Sequence, residues 1–162
     1  MPLIPSPNLA DTNMIYFETR LGNPIENSQS LVISQFCKNQ FSQYRTKYKN
    51  IHYRTKPTGF FNCHGLTFGS RRAEITNPAE VKKILTDDQY IQVNRDDALP
   101  GDVILYYSNG DIEHSGILTT KPDPPLYVPL VYSKWGSYCE IIHLANNCPY
   151  DYSQTQFYRI TE

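Results

Sequence analysis

The chain has 162 residues, about one domain at roughly 100–200 residues per domain, and 40% of them are hydrophobic, including 13 Tyr, 7 Phe and 1 Trp. That supply of apolar and aromatic surface supports a packed core and excludes a disordered chain. The 15 Lys+Arg and 16 Asp+Glu nearly cancel, so there is no basic excess of the kind a nucleic-acid binder carries, and no apolar run is long enough for a membrane span.

The opening stretch, Met1-Pro2-Leu3-Ile4-Pro5-Ser6-Pro7, lacks the basic and apolar regions of a secretory signal peptide. The expected location is therefore cytoplasmic, or outside the cell by a route that reads no classical signal. Cys37, Cys63, Cys139 and Cys148 form no Cys-x-x-Cys pair, and reduced thiols are expected. The whole chain, 1–162, reads as a single domain with no linker.

Residues 1–13, rich in Pro and Asn, are expected to be irregular or extended. Met14 to Arg20 reads as a short strand, broken by Gly22-Asn23-Pro24. Ile33, Cys37, Phe41, Tyr44 and Tyr48 recur at helical spacing, which predicts a helix over 28–49 capped by Ser28 or Ser30. A short helix should begin at Asn62 or Cys63 and stop near Gly69. A second should follow Asn77 as its cap, with Pro78 as its first residue and Asp87-Asp88 at its end.

From there the chain reads as strands: 91–93, 102–107, 112–119, 126–133, 139–144 and 155–160. Asn109-Gly110 between two β-rich runs is a strong hairpin signal. Helices first and an antiparallel meander after predict an α+β fold.

Cys63 falls where the short helix starts. Free backbone N–H groups and the positive helix end there favour a thiolate and can donate to an oxyanion. His114, on the return strand of the hairpin, is the candidate base. A third group should orient the imidazole from the stretch Val131 to Gly136, with Ser133 the first choice and Tyr132 the second. Asn62, His64, Tyr132, Lys134 and Trp135 are the candidate oxyanion- and substrate-binding groups. Asn62 reads first as a helix cap, His64 as a structural hydrogen-bonder, and Asp102 as a turn-closing residue. Arg71-Arg72 and Lys82-Lys83 read as solvated charge. Cys139 and His143 would lie more than about 10 Å apart on a strand, so Cys139, His143 and Cys148 do not make a zinc site. No metal or cofactor is called for.

Three blocks carry a resemblance. Asn62-Cys63-His64-Gly65-Leu66 is similar to an Asp-Cys-Ser-Gly-Leu nucleophile block. Leu99-Pro100-Gly101-Asp102-Val103-Ile104 is similar to a Pro-Gly-Asp-Leu-Val strand, and His114-Ser115-Gly116-Ile117 to His-Val-Gly-Ile. Their order over roughly residues 58–145 resembles the NlpC/P60 superfamily of papain-like cysteine peptidases and amidases. The chain departs from that pattern at Asn62, at His64 and in offering Tyr132, Ser133 and Lys134 as the third polar residue.

The resemblance implies N-terminal helices packed on a central antiparallel sheet, with Cys63 as nucleophile and His114 as base. It implies hydrolysis of an amide, peptide or isopeptide bond in a peptide or protein, with cell-wall peptides among the substrates. The alternatives are a deamidase or acyltransferase using the same dyad, and an inactive binding module. An inhibitory partner protein is expected if the chain is an exported effector.

Overall fold

The computed structural model describes residues 4–5 and 12–162. The segment 1–13, expected to be irregular or extended, lies largely outside them, and its described residues are in strands. Three short antiparallel strands come first: β1 (Ile4–Pro5), β2 (Thr12–Met14) and β3 (Gln29–Ser30). Helix α1 (Gln35–Lys47), strand β4 (His52–Tyr53), and helices α2 (Cys63–Phe68) and α3 (Pro78–Asp87) follow. The remaining strands are β5 (Tyr90–Val93), β6 (Val103–Ser108), β7 (Asp111–Leu118), β8 (Leu130–Lys134), β9 (Glu140–Leu144) and β10 (Thr155–Ile160). The fold is α+β, built on a seven-stranded antiparallel sheet in the order β4-β9-β8-β7-β6-β10-β5.

Several expectations are corrected. Helix α1 starts at Gln35, not near residue 28. Ser34 caps it by accepting from the Cys37 N–H at 3.2 Å, while Gln29-Ser30 are taken up by pairing with β2. The strand expected at 14–20 is confined to Thr12–Met14, and the Ile15 N–H goes to the Asn27 side chain instead. The strand expected at 126–133 begins at Leu130, because Pro129 cannot donate to a ladder and Tyr127 adopts a positive φ of 51°. The strands are not a pure meander. β6 to β9 run in sequence, but β10 inserts between β6 and β5. Helix α3 has the expected cap, with Asn77 Oδ1 accepting from the Ala79 N–H at 3.0 Å. The hairpin turns at Asn109 and Gly110, both at positive φ as a tight two-residue turn needs.

Strand alternation divides the core in two. On one face Ile104, Tyr106, Leu118, Val131, Trp135, Tyr138, Ile141 and Phe157 pack under Phe41 and Tyr44 of α1 and its C-cap Tyr48. On the other, Val103, Leu105 and Ile112 pack with Val81 and Ile84 of α3 and with Phe68 of α2. A β-bulge reconciles the faces. Tyr106 pairs with His114 but Tyr107 pairs with Ile112, so Glu113 is the extra residue. Asp102 closes the turn before β6 by accepting the Leu99 N–H at 2.7 Å. It also takes the Arg159 guanidinium at 2.8 and 2.7 Å, which ties β6 to β10.

After α2 the chain doubles back through Ser70 and Arg71, both at positive φ. That return lays the Ala73 carbonyl oxygen 1.8 Å from where a Cβ on Gly65 would sit. Backbone cannot yield as a side-chain tip can. Gly65→Ala is therefore expected to lower stability by about 3 kcal/mol, read as a drop in the urea midpoint. A midpoint equal to wild type would show that the return segment moves freely.

Candidate functional site

Helix α2 owes its position to Asn62. Its Oδ1 accepts from Gly65 N–H at 3.0 Å and Ile75 N–H at 3.1 Å, and its Nδ2 donates to the Ile75 carbonyl at 2.8 Å. One side chain thus caps the helix and staples it to the returning strand-like segment. These bonds make Asn62 a clamp, with its carbonyl oxygen fully engaged.

Three hydroxyl and imidazole groups then join α2 to β7. Thr67 Oγ1 donates to the Cys63 carbonyl at 2.9 Å, and Ser115 Oγ donates to Thr67 Oγ1 at 3.0 Å. The Ser115 proton is thereby used, so His64 Nδ1–H donates to Ser115 Oγ at 2.8 Å. His64 is buried in a structural bond, and burial lowers its pKa to about 4.

Cys63 is the first residue of α2 and is only 6% exposed. Backbone groups of Ser115, His64 and Cys63 itself favour its thiolate, as a helix start should, and so does the charge of Lys134. Burial outweighs them and pushes the thiol up to about 11. The sequence expectation of a thiolate favoured by the helix end is corrected here: loss of hydration is the larger effect in a helix this short and this covered.

His114 follows the alternation of β7. Ser115 faces α2, so His114 faces the opposite side, toward the Tyr106 ring at 5.3 Å. The Tyr150 ring stacks on it at 3.9 Å and 8°. His114 is fully buried, and neither ring nitrogen has a hydrogen-bond partner among the described residues. Burial, and after it the neighbouring His143 and His64, holds its pKa well below the usual imidazole value. Cys63 meets this strand through the Ser115 backbone group, one residue beyond the candidate base, and no hydrogen bond joins its thiol to either His114 nitrogen.

The 131–136 stretch is also there, with different duties. Ser133 Oγ donates to His143 Nε2 at 2.8 Å, because His143 Nδ1–H is given to the Leu144 carbonyl at 2.7 Å. Ser133 is thus bonded to His143 and not to His114. Tyr132 donates to Glu140 at 2.6 Å and accepts from Arg71, whose guanidinium also pairs with Glu140. Arg71 is therefore an ion-pair partner and not free solvated charge. Lys134, fully buried, donates to the carbonyls of Thr58 at 2.6 Å and Gly136 at 2.8 Å and lies 4.8 Å from the Phe61 ring centre. It clamps the lead into α2, and burial pushes its pKa down to about 8. Trp135 is buried against Tyr44 of α1, its C-cap Tyr48 and His143.

Sequence reasoning missed Tyr150, since no motif marks an aromatic that reaches the site from a loop. It weighed His143 only as a metal ligand. It also missed an open groove of about 390 Å³ lined by Ser30 to Ile33, Lys38 and Pro57 to Phe60, which ends where the lead to Cys63 begins. Among the described residues no group of His, Cys, Asp and Glu is arranged to hold a metal ion, and all four cysteines are free thiols. No helix of the described residues is long and apolar enough to cross a membrane. A scan against protein-family models finds no match, and searches of curated proteins and of solved structures find none.

The three buried histidines set the acid response. The folded state holds His64 and His143 at about 4 and His114 lower than its usual value, so all three are neutral when folded. The unfolded chain takes up protons below about 6.5 that the folded chain refuses, so stability is full above that pH and is lost as pH falls toward 4. His64 and His143 should each remove roughly 3 kcal/mol across this window. Urea unfolding at a series of pH values from 7 to 4 checks it, and a flat profile would contradict neutral burial.

Proposed function

We propose that the protein is a thiol hydrolase of amide, peptide or isopeptide bonds, with Cys63 as nucleophile and His114 as base, on a papain-like NlpC/P60-type frame. One observation carries the reading. A cysteine at a helix start lies against the strand segment of a buried imidazole whose two nitrogens are unpartnered. A histidine kept only for packing would normally have a hydrogen bond, since an unpaired buried polar group costs about 1–3 kcal/mol.

The chemistry starts from the neutral pair. His114 takes the thiol proton as the Cys63 sulfur bonds to the substrate carbonyl carbon, and the carbonyl electrons move to oxygen. The Cys63 backbone N–H steadies that oxyanion. The oxyanion collapses, the C–N bond breaks, and His114 gives its proton to the leaving amine. Water then attacks the thioester with His114 as base, and the C–S bond breaks to release the acid and restore the thiol.

A second reading, a binding module without turnover, is favoured by the closure of the site: Cys63 is buried with a raised pKa, and Tyr150 covers His114.

A panel of N-acetyl tetrapeptidyl acyloxymethyl ketones, varied at the residue beside the ketone, separates the two. Intact mass and peptide mapping read the adduct on Cys63. Hydrolase chemistry predicts labelling in wild type, none at this position in Cys63→Ala, and labelling slowed roughly 100-fold or more in His114→Ala. Labelling no faster than iodoacetamide in wild type, and equal in His114→Ala, would leave the binding module.

A further inference from the structure

We infer that Tyr150 is the positioning residue for His114, holding the imidazole by ring stacking where a hydrogen-bonding third residue would otherwise do so. The inference rests on the proposed Cys63–His114 chemistry. Cysteine–histidine sites need the imidazole fixed in one orientation, and a polar side chain on its second nitrogen usually supplies this. Here Ser133 gives its only proton to His143, and Tyr132 and Lys134 are bonded elsewhere. No described side chain reaches either nitrogen of His114. What the ring does have is an aromatic cage. Tyr150 lies parallel to it at 3.9 Å, and Tyr106 is tilted against it at 5.3 Å and against Tyr150 at 5.9 Å.

The cage is itself anchored. The Tyr106 hydroxyl donates to the Ala145 carbonyl at 2.7 Å, and the Cys148 thiol donates to the carbonyls of Ala145 at 3.4 Å and Tyr150 at 3.7 Å. The Ala145 end of the segment that carries Tyr150 is thus tied to Tyr106 of the sheet, and Cys148 braces that end to Tyr150 within the segment. Stacking fixes the plane of the imidazole and leaves both nitrogens free of hydrogen bonds, so either can take the thiol proton. A hydrogen-bonded third residue would occupy one of them.

The test combines proton NMR of the four histidines with Cys63 alkylation by iodoacetamide at fixed pH, followed by mass spectrometry. In wild type the His114 ring protons should lie upfield of those of exposed His52, shielded by the Tyr150 face. Tyr150→Phe should keep both the shift and the alkylation rate. Tyr150→Leu should lose the shift and slow alkylation roughly 2- to 10-fold, the range expected for one aromatic contact. His114→Ala should slow it further. An unshifted His114 in wild type would overturn the inference with no variant needed. A rate slowed in His114→Ala but kept or raised in Tyr150→Leu would overturn it alone, the raised rate marking Tyr150 as a cover. A rate unchanged in His114→Ala would overturn the dyad and the role of Tyr150 together.

Discussion

The buried hydrogen-bond chain from His64 through Ser115 and Thr67 to the Cys63 carbonyl is the joint on which the site hangs. It is a buried polar connection between α2 and the sheet face beneath it, and each of its hydroxyls both donates and accepts. Buried networks of this kind stabilise only when every member is paired, and then they fix one geometry in place of many. Shifting β7 by one residue would present the His114 or Gly116 position to α2 and leave His64 and Thr67 without partners. The joint therefore sets the register of the candidate base relative to the candidate nucleophile, though neither reactive group belongs to it.

The closed state has an electrostatic consequence. A helix start, three backbone groups and a lysine all favour the Cys63 thiolate, yet burial leaves the thiol protonated. The same burial keeps His114 neutral. A thiolate–imidazolium pair would place two charges in a space with no hydrogen bond for the ring, and desolvation would outweigh their attraction. Any nucleophilic chemistry here therefore begins from an uncharged pair, with charge appearing only as the carbonyl accepts it. Lys134 fits that picture. Its ammonium is spent on two carbonyls and an aromatic face, so it holds the lead to Cys63 and contributes a distant field instead of a contact.

Local rules made much of the fold legible. Asn77-Pro78 announced α3, Asn109-Gly110 the hairpin, and Asn62 the cap of α2, because each acts within a few residues of itself. What stayed hidden depended on partners far along the chain. Helix α1 was expected too early because the apolar spacing through Ile33 does not reveal that Gln29-Ser30 are claimed by β2. The place of β10 between β5 and β6 follows from the Arg159–Asp102 ion pair and from ladder pairing, neither of which periodicity records. At the candidate site, the place of Cys63 at a helix start and of His114 on the return strand was readable. The partners of Ser133 were not, since a serine on a strand looks the same whether it faces His114 or His143. Tyr150 was invisible because a loop aromatic has no period.

The bulge at Glu113 shows how these constraints meet. Ile112 must enter the core under α3, and Ser115 must face α2 three residues later, which strict alternation does not allow for residues of opposite parity. One extra residue absorbs the conflict. It lets Ile112 and Ser115 share a face while His114 stays on the other, under Tyr150. The cost is a break in the ladder and a local bend, borne at the hairpin end of β7, where Glu113 reaches solvent. Removing the extra residue would force a choice between the α3 core and the α2 joint. The irregularity is thus the local feature that lets one strand serve a helix on one face and an aromatic-caged imidazole on the other.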